Sequence, residues 1–341
     1  MVLIDGTLAS LEPGQRSSIG RIHTALSGEW GALPCPVRLR YLPGLQWERL
    51  SSLPDLLIGQ ELETSIRLAY LWLARRWTPG DPIYLFGYSR GAFAIRSLAG
   101  MIGQVGLLRR ESACKRRMEQ AWELYRHGGP DDRIALFRRQ YCHDHTPIRM
   151  VGVFDTVMAL GIRLPLLWML TEPRYRYHDQ HLGPHVETGA QALALDETRA
   201  AFQPILWADD NGRPQVRQMW FRGAHPDIGG QLSGFEHARP LANIPLVWML
   251  EQAAEAGLPL PPDWRARLPC DPLAQPIGSW RRWGKAFLAR APRIAGANRT
   301  EALHPTVPLP YKGPAILAGD LAQFAPPRPR PPRRRRRRKP A

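Results

Sequence analysis

The sequence predicts an α/β fold, built on a mainly parallel sheet with helices on both faces. Short apolar runs of strand length each end at a polar or glycine-containing turn, and segments with apolar residues at helical spacing lie between them. No internal repeat interrupts this alternation. Strands that alternate with helices are typical of parallel sheets, because each crossover helix packs on a face of the sheet.

The predicted elements follow from local patterns. Five runs rich in aliphatic and β-branched residues predict strands at 2–4, 37–41, 83–86, 150–154 and 216–221. These strands end, in order, near Asp5-Gly6, Pro43-Gly44, Gly87, Asp155 and Gly223. Helices are predicted at 61–77, from Ala92 onward, at 244–256 and at 280–290. In the first of them Leu62, Ile66 and Leu73 share a face, and Pro79-Gly80 ends it.

Length and composition indicate one globular unit with a tail. The 341 residues suffice for one large core. We predict a catalytic domain over 1–320, in which 241–320 forms a helical or capping part, and a disordered Pro/Arg-rich tail at 321–341. The start carries no signal-peptide pattern, and no run reaches the ~20 apolar residues that span a bilayer. Four dispersed cysteines favour a reducing compartment, so a cytoplasmic place of synthesis is expected.

The net charge of +16 is concentrated near the C-terminus. From Ala325 onward there are eight arginines, one lysine and no acid, so these seventeen residues carry +9 and the rest of the chain +7. Six consecutive arginines between prolines cannot form a core, which predicts a solvated, disordered tail. Its charge favours contact with anionic lipid, an acidic partner, or nucleic acid without sequence specificity, and the competing interpretation is a solvated extension that binds only counterions.

Ser89 is the candidate nucleophile. It lies in Gly87-Tyr88-Ser89-Arg90-Gly91, after an apolar strand and before a helix with apolar periodicity. This pattern is typical of the nucleophile elbow, a sharp strand-to-helix turn that raises the serine hydroxyl above the sheet. The five-residue pattern recurs by chance, but its strand–turn–helix context favours an α/β-hydrolase-like fold and a serine hydrolase.

A nucleophilic serine needs a base, and the base needs an acid that orients it. In this fold the acid and then the histidine follow the serine, each at the carboxyl end of a strand. Asp155 ends the strand at 150–154, and His225 follows the strand at 216–221. Asp227 is the alternative acid, or else supports the histidine without contacting its Nδ1. The competing interpretation is a helix-capping Asp155 and an ordinary loop histidine.

The oxyanion that forms during acyl transfer needs two backbone donors. The N–H of Arg90, directly after the nucleophile, is the first, and the loop that contains Gly6 and Thr7 is predicted to supply the second. No metal site is predicted, because Gly183-Pro184 would break the helix that could align the histidines at 178–185, and the cluster at 142–145 has no distant partner pair. No cofactor is required by this chemistry.

Five motifs in order resemble those of a known family. Asp5-Gly6-Thr7 resembles an F-D-G-T start, and residues 87–93 resemble G-F-S-R-G-A-Y. Residues 153–157 resemble V-W-D-T-V, 192–197 resemble the end of H-A-L-A-L-D-E, and 220–230 resemble W-F-P-G-x-H-S-D-V-G-G. Together they are similar to the α/β-hydrolase domain of bacterial type VI secretion phospholipase effectors of the first lipase class.

The resemblance covers roughly residues 2 to 310 and implies that Ser89, Asp155 and His225 cleave a phospholipid or related ester. It also implies a secretion-apparatus partner and delivery by type VI secretion. Pro226 replaces the family's serine beside the histidine, and Gln191 replaces the histidine before A-L-A-L-D-E. The alternative function is a catalytically weak scaffold that binds partners through its basic tail.

The segment at 280–290 predicts contact with an anionic membrane surface. On a helix, Trp280, Trp283 and Phe287 would share one face, with four basic residues in the same segment. The arginine tail would add electrostatic attraction. The competing interpretation is that these aromatic residues pack into the protein's own core.

Overall fold

The computed structural model describes residues 1–44, 55–157, 181–208, 215–281 and 287–325. Within these ranges seven parallel strands form one sheet. They are β1 Val2–Ile4, β2 Arg40–Leu42, β3 Ile83–Tyr88, β4 Ile148–Phe154, β5 Val186–Ala194, β6 Gln215–Phe221 and β8 Glu301–Leu303. Their spatial order in the sheet is β2-β1-β3-β4-β5-β6-β8. A separate parallel pair consists of β7 Ile294–Ala295 and β9 Ile316–Leu317.

Helices connect these strands. They are α1 Ser18–Leu26, α2 Asp55–Arg76, α3 Arg90–Val105, α4 Lys115–His127, α5 Asp131–Tyr141, α6 His225–Gly229 and α7 Arg239–Glu255. Helix α1 begins where Ser17 Oγ accepts the N–H groups of Ile19 and Gly20, at 3.0 and 3.4 Å. This cap satisfies donors that the start of a helix leaves without a backbone partner.

Alternate strand residues face opposite sides of the sheet. Val2 and Ile4 belong to a core that includes apolar residues of α2, α3 and α4, whereas Leu3 belongs to a second core with α1 and α7. Because both faces of β1 and β3 are buried, these two strands consist almost entirely of apolar residues. A third cluster, which includes Trp220 and Tyr311, ties the C-terminal segment to the sheet.

The strand order changes direction beside β1. The chain moves outward from β1 to β2, then crosses back to β3 on the other side and continues to β4, β5 and β6. At such a switch point the loops after the two neighbouring strands diverge and leave a crevice at the carboxyl edge of the sheet. The loop after β1 contains Gly6, and the turn after β3 contains Ser89.

The predicted α/β fold with a parallel sheet is confirmed. The strands predicted at 2–4, 83–86, 150–154 and 216–221 correspond to β1, β3, β4 and β6, and the second strand begins three residues later than predicted. Strands β5 and β8 lack a clear sequence signal. After Val186, β5 continues with Glu187, Thr188 and Gly189, and β8 has only three residues.

The prediction of a helix at 280–290 is wrong for residues 280–281 and 287–290, which are the part of this segment that the structure describes. Trp280 and Arg281 lie in a bend, and residues 287–289 have no regular secondary structure. Arg290 pairs with Arg199 in an isolated antiparallel bridge. Trp283 and the arginine run lie outside the described residues, so the predictions about them stay predictions.

The domain boundaries at 320 and 321 also stay predictions. Most of the segment predicted as a helical or capping part is described, and it contains α7 together with the short strands β7, β8 and β9. None of the helices in the described ranges combines the length and apolar character that crossing a bilayer requires.

Candidate active site

Ser89 lies at the turn between β3 and α3. Its backbone adopts φ 57° and ψ −122°, a conformation that is strained for a residue with a Cβ. A Cβ at Gly87 would lie 2.5 Å from the Gly91 carbonyl oxygen, and a Cβ at Gly91 would lie 2.3 Å from that of Ile4. The turn requires glycine at both positions because the backbone segments pass too closely for a side chain.

His225 reaches the serine from the same carboxyl edge of the sheet, after β6, which is the third strand from β3. Its Nε2 lies 2.9 Å from Ser89 Oγ, and it opens α6 shortly after β6. The imidazole packs against the rings of Tyr88 and Phe202, with centroids 4.9 Å away in both cases. These contacts bury the imidazole and hold its orientation toward the serine.

Asp155 contacts the opposite side of the imidazole. Its Oδ2 lies 2.5 Å from His225 Nδ1, and its Oδ1 accepts the N–H of Ala194 at 3.0 Å. Asp155 directly follows β4, has a φ of 44° and is fully buried. The structure therefore brings the three sequence-predicted residues, Ser89, His225 and Asp155, into one line of hydrogen bonds.

A buried arginine that the sequence analysis missed contacts Asp155. Arg293 Nη1 donates to Asp155 Oδ1 at 2.6 Å, and Nη2 donates to Oδ2 at 3.0 Å. Neither side chain is exposed to solvent. Arg293 lies outside every motif and every predicted element, so no local sequence signal marks it.

Burial and charge act in opposite directions on the ionisable partners. Burial raises the pKa of Asp155, but the charge of Arg293 and the hydrogen bond from His225 outweigh it and hold that pKa well below its usual range. Burial lowers the pKa of His225, and Asp155 offsets this only in part. At neutral pH an ionised carboxylate therefore faces a neutral imidazole, which is the state that a general base needs.

Glu197 and Arg199 form a second buried ion pair beside the histidine. Glu197 Oε2 accepts Arg199 Nη2 at 2.6 Å and the backbone N–H of His225 at 3.2 Å. The Arg199 guanidinium lies 3.8 Å from the ring centroid of Phe202. Glu197 belongs to a family motif noted in the sequence, but the motif alone assigns it no role. In the structure the pair holds the start of α6 and one wall of the crevice.

Asp227 does not contact the His225 ring. Its Oδ2 accepts the N–H of Ala224 at 2.9 Å, and its Oδ1 accepts the N–H of Ile277 at 2.7 Å. Asp227 therefore caps α6 and tethers a loop of the C-terminal segment. Burial raises the pKa of its carboxyl. The geometry favours Asp155 over Asp227 as the acid beside Nδ1.

The predicted oxyanion donors lie beside Ser89. Arg90 is the first residue of α3, so its N–H has no partner within the helix. The loop after β1 passes so close that a Cβ at Gly6 would lie 3.3 Å from the Ser89 Cβ. The Gly6 N–H already donates to Asp5 Oδ1 at 2.8 Å. The N–H of Thr7 makes no hydrogen bond within the described ranges, so unlike that of Gly6 it is available to donate.

Two members of the histidine and cysteine clusters have structural partners. His185 Nε2 lies 2.9 Å from the Ala99 carbonyl oxygen, and Cys142 Sγ donates to the Val105 carbonyl at 3.4 Å. His178 lies outside the described residues. Over the described ranges, no three His, Cys, Asp or Glu side chains converge in a way that could hold a metal ion.

A parallel sheet whose central strand runs into a serine-bearing elbow, with an aspartate and a histidine after later strands, defines the α/β-hydrolase class. Residues 1–252 match the family described as the catalytic domain of the Tle1-like phospholipase effectors of the type VI secretion system (T6SS). Since this match covers well over half of the chain, the protein belongs to that family.

Individual proteins also match. The chain is 32% identical over 169 residues to the uncharacterised protein YEL023C of Saccharomyces cerevisiae. The aligned region covers 46% of this chain and 23% of the yeast protein. A crystal structure of an uncharacterised Pseudomonas aeruginosa protein matches at 15% identity and a TM-score of 0.40, over 79% of this chain and 49% of the other. A structure of the Tle1 effector bound to the VgrG spike matches at 18% identity and a TM-score of 0.35, over 67% and 50%. This chain thus spans about a quarter of the yeast relative and about half of each structural relative.

Proposed function

We propose that the chain hydrolyses carboxylic esters of phospholipids through an acyl-enzyme on Ser89. The observation that carries this proposal is the unbroken line of hydrogen bonds from Ser89 Oγ through His225 to Asp155. Family membership supports a lipid ester as the substrate. The position of Ser89 at the switch point of the sheet supports the crevice there as the binding site.

His225 acts as the base in this mechanism. Its neutral Nε2 takes the proton while Ser89 Oγ attacks the ester carbonyl carbon, and Asp155 holds the imidazole through Nδ1–H. The N–H groups of Arg90 and Thr7 stabilise the oxyanion. The alcohol then leaves with the proton from His225. Water attacks the acyl-enzyme with His225 again as base, and the fatty acid is released from the restored serine.

An apolar wall beside the histidine suits an acyl chain. Phe202 packs edge-on against His225, and Phe287 packs against Phe202 with centroids 5.2 Å apart. Both rings are partly exposed, so they remain open to a ligand. Because burial of each CH₂ group contributes about 0.8 kcal/mol, this wall favours long acyl chains over an acetyl group.

The surface next to this wall supports docking on an anionic lipid layer. We call Trp280, Leu288 and Arg290 the rim surface. Trp280 is 60% exposed, Leu288 is 87% exposed, and the Arg290 guanidinium lies 3.7 Å from the Trp280 ring centroid. Arg290 Nε also donates to the Phe287 carbonyl at 3.0 Å, which joins this surface to the apolar wall. Exposed aromatic and aliphatic groups beside basic residues suit a headgroup layer.

Family membership further supports delivery by type VI secretion and a contact with the secretion apparatus, and the expected cytoplasmic synthesis is part of the same proposal. These points belong to the proposal. A pull-down with the spike proteins of the apparatus tests the contact. Retention of the folded chain on the spike is the expected result, and retention of an unrelated hydrolase to the same extent would argue against it.

Labelling with a fluorophosphonate probe, followed by phospholipid turnover, tests the enzymatic function. An activated serine attacks the probe, so we expect stoichiometric labelling of the wild-type protein and none of the Ser89→Ala variant. Phospholipid vesicles should then yield free fatty acid, measured by mass spectrometry. Absence of labelling in a folded protein would instead support the alternative, a catalytically weak scaffold that binds partners through its basic tail.

A further inference from the structure

The hydrogen bonds of Arg293 converge on the acid side of the candidate site. Besides its two bonds to Asp155, Nη1 donates to the Ala194 carbonyl at 2.8 Å, and Nη2 donates to the Phe202 carbonyl. Ala194 ends β5, and Phe202 carries the ring that packs against His225. The guanidinium therefore joins the carboxylate, the end of a strand and one wall of the site.

Asp155 Oδ2 is shared by two partners. It lies 2.5 Å from His225 Nδ1 and accepts Arg293 Nη2 at 3.0 Å. The imidazole and the guanidinium thus contact the same oxygen atom in a site without solvent exposure at either Asp155 or Arg293. A positive charge at this distance opposes the addition of a second positive charge to the imidazole.

We propose that Arg293 is a positioning residue for the Asp155–His225 pair. Its guanidinium clamps the carboxylate against the imidazole and keeps the pair from taking up an extra proton at neutral pH. His225 Nε2 then remains free to accept the Ser89 proton. This proposal rests on the function proposed above. It also gives the C-terminal segment, beyond the residues that match the family, a direct part in the site.

Other charged groups near the imidazole do not replace this effect. Glu197, which accepts the His225 backbone N–H, favours the charged imidazole, and Arg199 opposes it. These two are paired with each other, so their effects largely cancel. Tyr88 packs against the ring, and burial raises its pKa well above the ordinary value, so it carries no charge at neutral pH. Arg293 is the cation that contacts the acid itself.

If the role of Arg293 were purely structural, a different result would be expected when it is replaced. If the arginine only fills space and satisfies carbonyls, its replacement lowers stability but leaves the proton affinity of the pair unchanged. If it acts as proposed, loss of its charge makes the pair bind a proton more readily, whichever partner holds that proton. The two roles are therefore distinguished by the pKa at which the Asp155–His225 pair takes up its first extra proton. A loss of activity alone would not distinguish them.

The experiment is a titration of His225 by NMR on protein labelled at the histidine Cε1, with the signal assigned through His225→Gln. The variants are Arg293→Gln, which keeps one donor without the charge, and Arg293→Lys, which keeps the charge. The matched control is Arg96→Gln. Arg96 is also buried and donates to the Ile205 carbonyl at 2.6 Å, but it does not contact Asp155.

We expect Arg293→Gln to raise this pKa by at least one pH unit, and Arg293→Lys and Arg96→Gln to leave it near the wild-type value. In Arg293→Gln, the acid limb of the pH–rate profile for ester hydrolysis should shift by the same amount. In Arg293→Lys, kcat should change and KM should not. An unchanged or lower pKa in folded Arg293→Gln would overturn the proposal.

Two further outcomes are informative. If Arg293→Gln does not fold, Asp155→Asn and the double variant Asp155→Asn/Arg293→Gln are compared instead, because the double variant leaves no buried charge without its partner. The pKa of His225 should be at least one pH unit higher in the double variant than in Asp155→Asn, and equal values would overturn the proposal. If the wild-type protein shows no hydrolysis, the proposed function fails while the titration still tests Arg293. The two failures are therefore distinguishable.

Discussion

Gly229 lies directly over Tyr88, the residue before the candidate nucleophile. A Cβ at Gly229 would come within 2.0 Å of the Tyr88 ring, so only glycine fits there. This close approach places α6 on the elbow strand, although β4 and β5 lie between β3 and β6 in the sheet. It brings His225 within 2.9 Å of Ser89 across 136 residues of chain.

The first prediction concerns Ser89. We expect Ser89→Ala to lower kcat for short acyl esters by on the order of 10⁶, because loss of an activated nucleophile removes the acyl-enzyme route. Initial rates with a chromogenic ester measure this, and circular dichroism checks the fold. Ser18→Ala is the control, since Ser18 Oγ is buried without a hydrogen-bond partner in the described ranges. Substantial residual activity in folded Ser89→Ala would reject the elbow assignment.

The second prediction separates the two aspartates. Asp155→Asn should lower kcat by on the order of 10⁴, because the amide no longer holds the productive tautomer of His225. Asp227→Asn should lower the free energy of unfolding by about 1–3 kcal/mol, since the single amide oxygen cannot accept all the backbone donors that the carboxylate accepts. It should lower kcat much less than Asp155→Asn does. Steady-state kinetics and urea denaturation measure both. The reverse order of the kcat effects would return the acid role to Asp227.

The third prediction concerns Asp5, which is buried beside the oxyanion loop. Burial raises its pKa to about 6, although Ser17 Oγ and Tyr41 OH donate to it at 2.6 and 2.8 Å. The folded-state pKa is above the unfolded value of about 4, so this stabilising contribution is complete below pH 4 and is lost as the pH rises through 6. Asp5→Asn removes this titration.

We therefore expect the free energy of unfolding of the wild-type protein to fall, relative to that of Asp5→Asn, by about 2 kcal/mol between pH 4 and pH 8. Urea denaturation at several pH values measures the difference. Parallel stability curves for the two proteins would show that Asp5 titrates like an exposed carboxyl.

The fourth prediction concerns the rim surface. Trp280→Ala and Leu288→Glu should weaken co-sedimentation with anionic vesicles, because both side chains are exposed beside the apolar wall. Removal of residues 326–341 should remove most of the salt dependence, since each arginine near an anionic surface contributes about 1 kcal/mol, screened by salt. Leu136→Glu is the control, because Leu136 is 52% exposed on α5. If neither the variants nor the salt concentration changed vesicle binding, the proposed membrane contact would be rejected. The assignment of the active-site residues would not be affected.

The fifth prediction tests the domain boundary. A chain that ends at residue 256, just after α7, should not fold cooperatively. It lacks Arg293 and β8, and breaking a buried ion pair typically costs 3–5 kcal/mol. A chain that ends at residue 325 should unfold with the full-length midpoint. Thermal melts followed by circular dichroism compare them. A stable, active chain ending at residue 256 would place the end of the domain much earlier than 320.

Local signals account for the parts of this protein that the sequence predicts well. The buried strands and the apolar faces of the helices follow from spacing, and spacing is a property of neighbouring residues. The elbow motif is equally local in sequence, because the serine and both glycines lie within five consecutive residues, although Gly91 is required by a close contact with the distant Ile4 carbonyl. Chain order at strand ends was enough to nominate Asp155 and His225, and their catalytic roles stay predictions until the variants are measured.

The tertiary structure decided what depends on contacts between distant segments. Spacing could not choose between Asp155 and Asp227, since the choice depends on which carboxylate reaches Nδ1 and which one caps α6. The aromatic pattern at 280–290 suggested a helix, but pairing of that segment with 199–200 holds part of it in another conformation. Arg293 carries no periodicity and no motif. Its role arises because folding buries Asp155, and a buried charge needs a partner that the sequence alone does not identify.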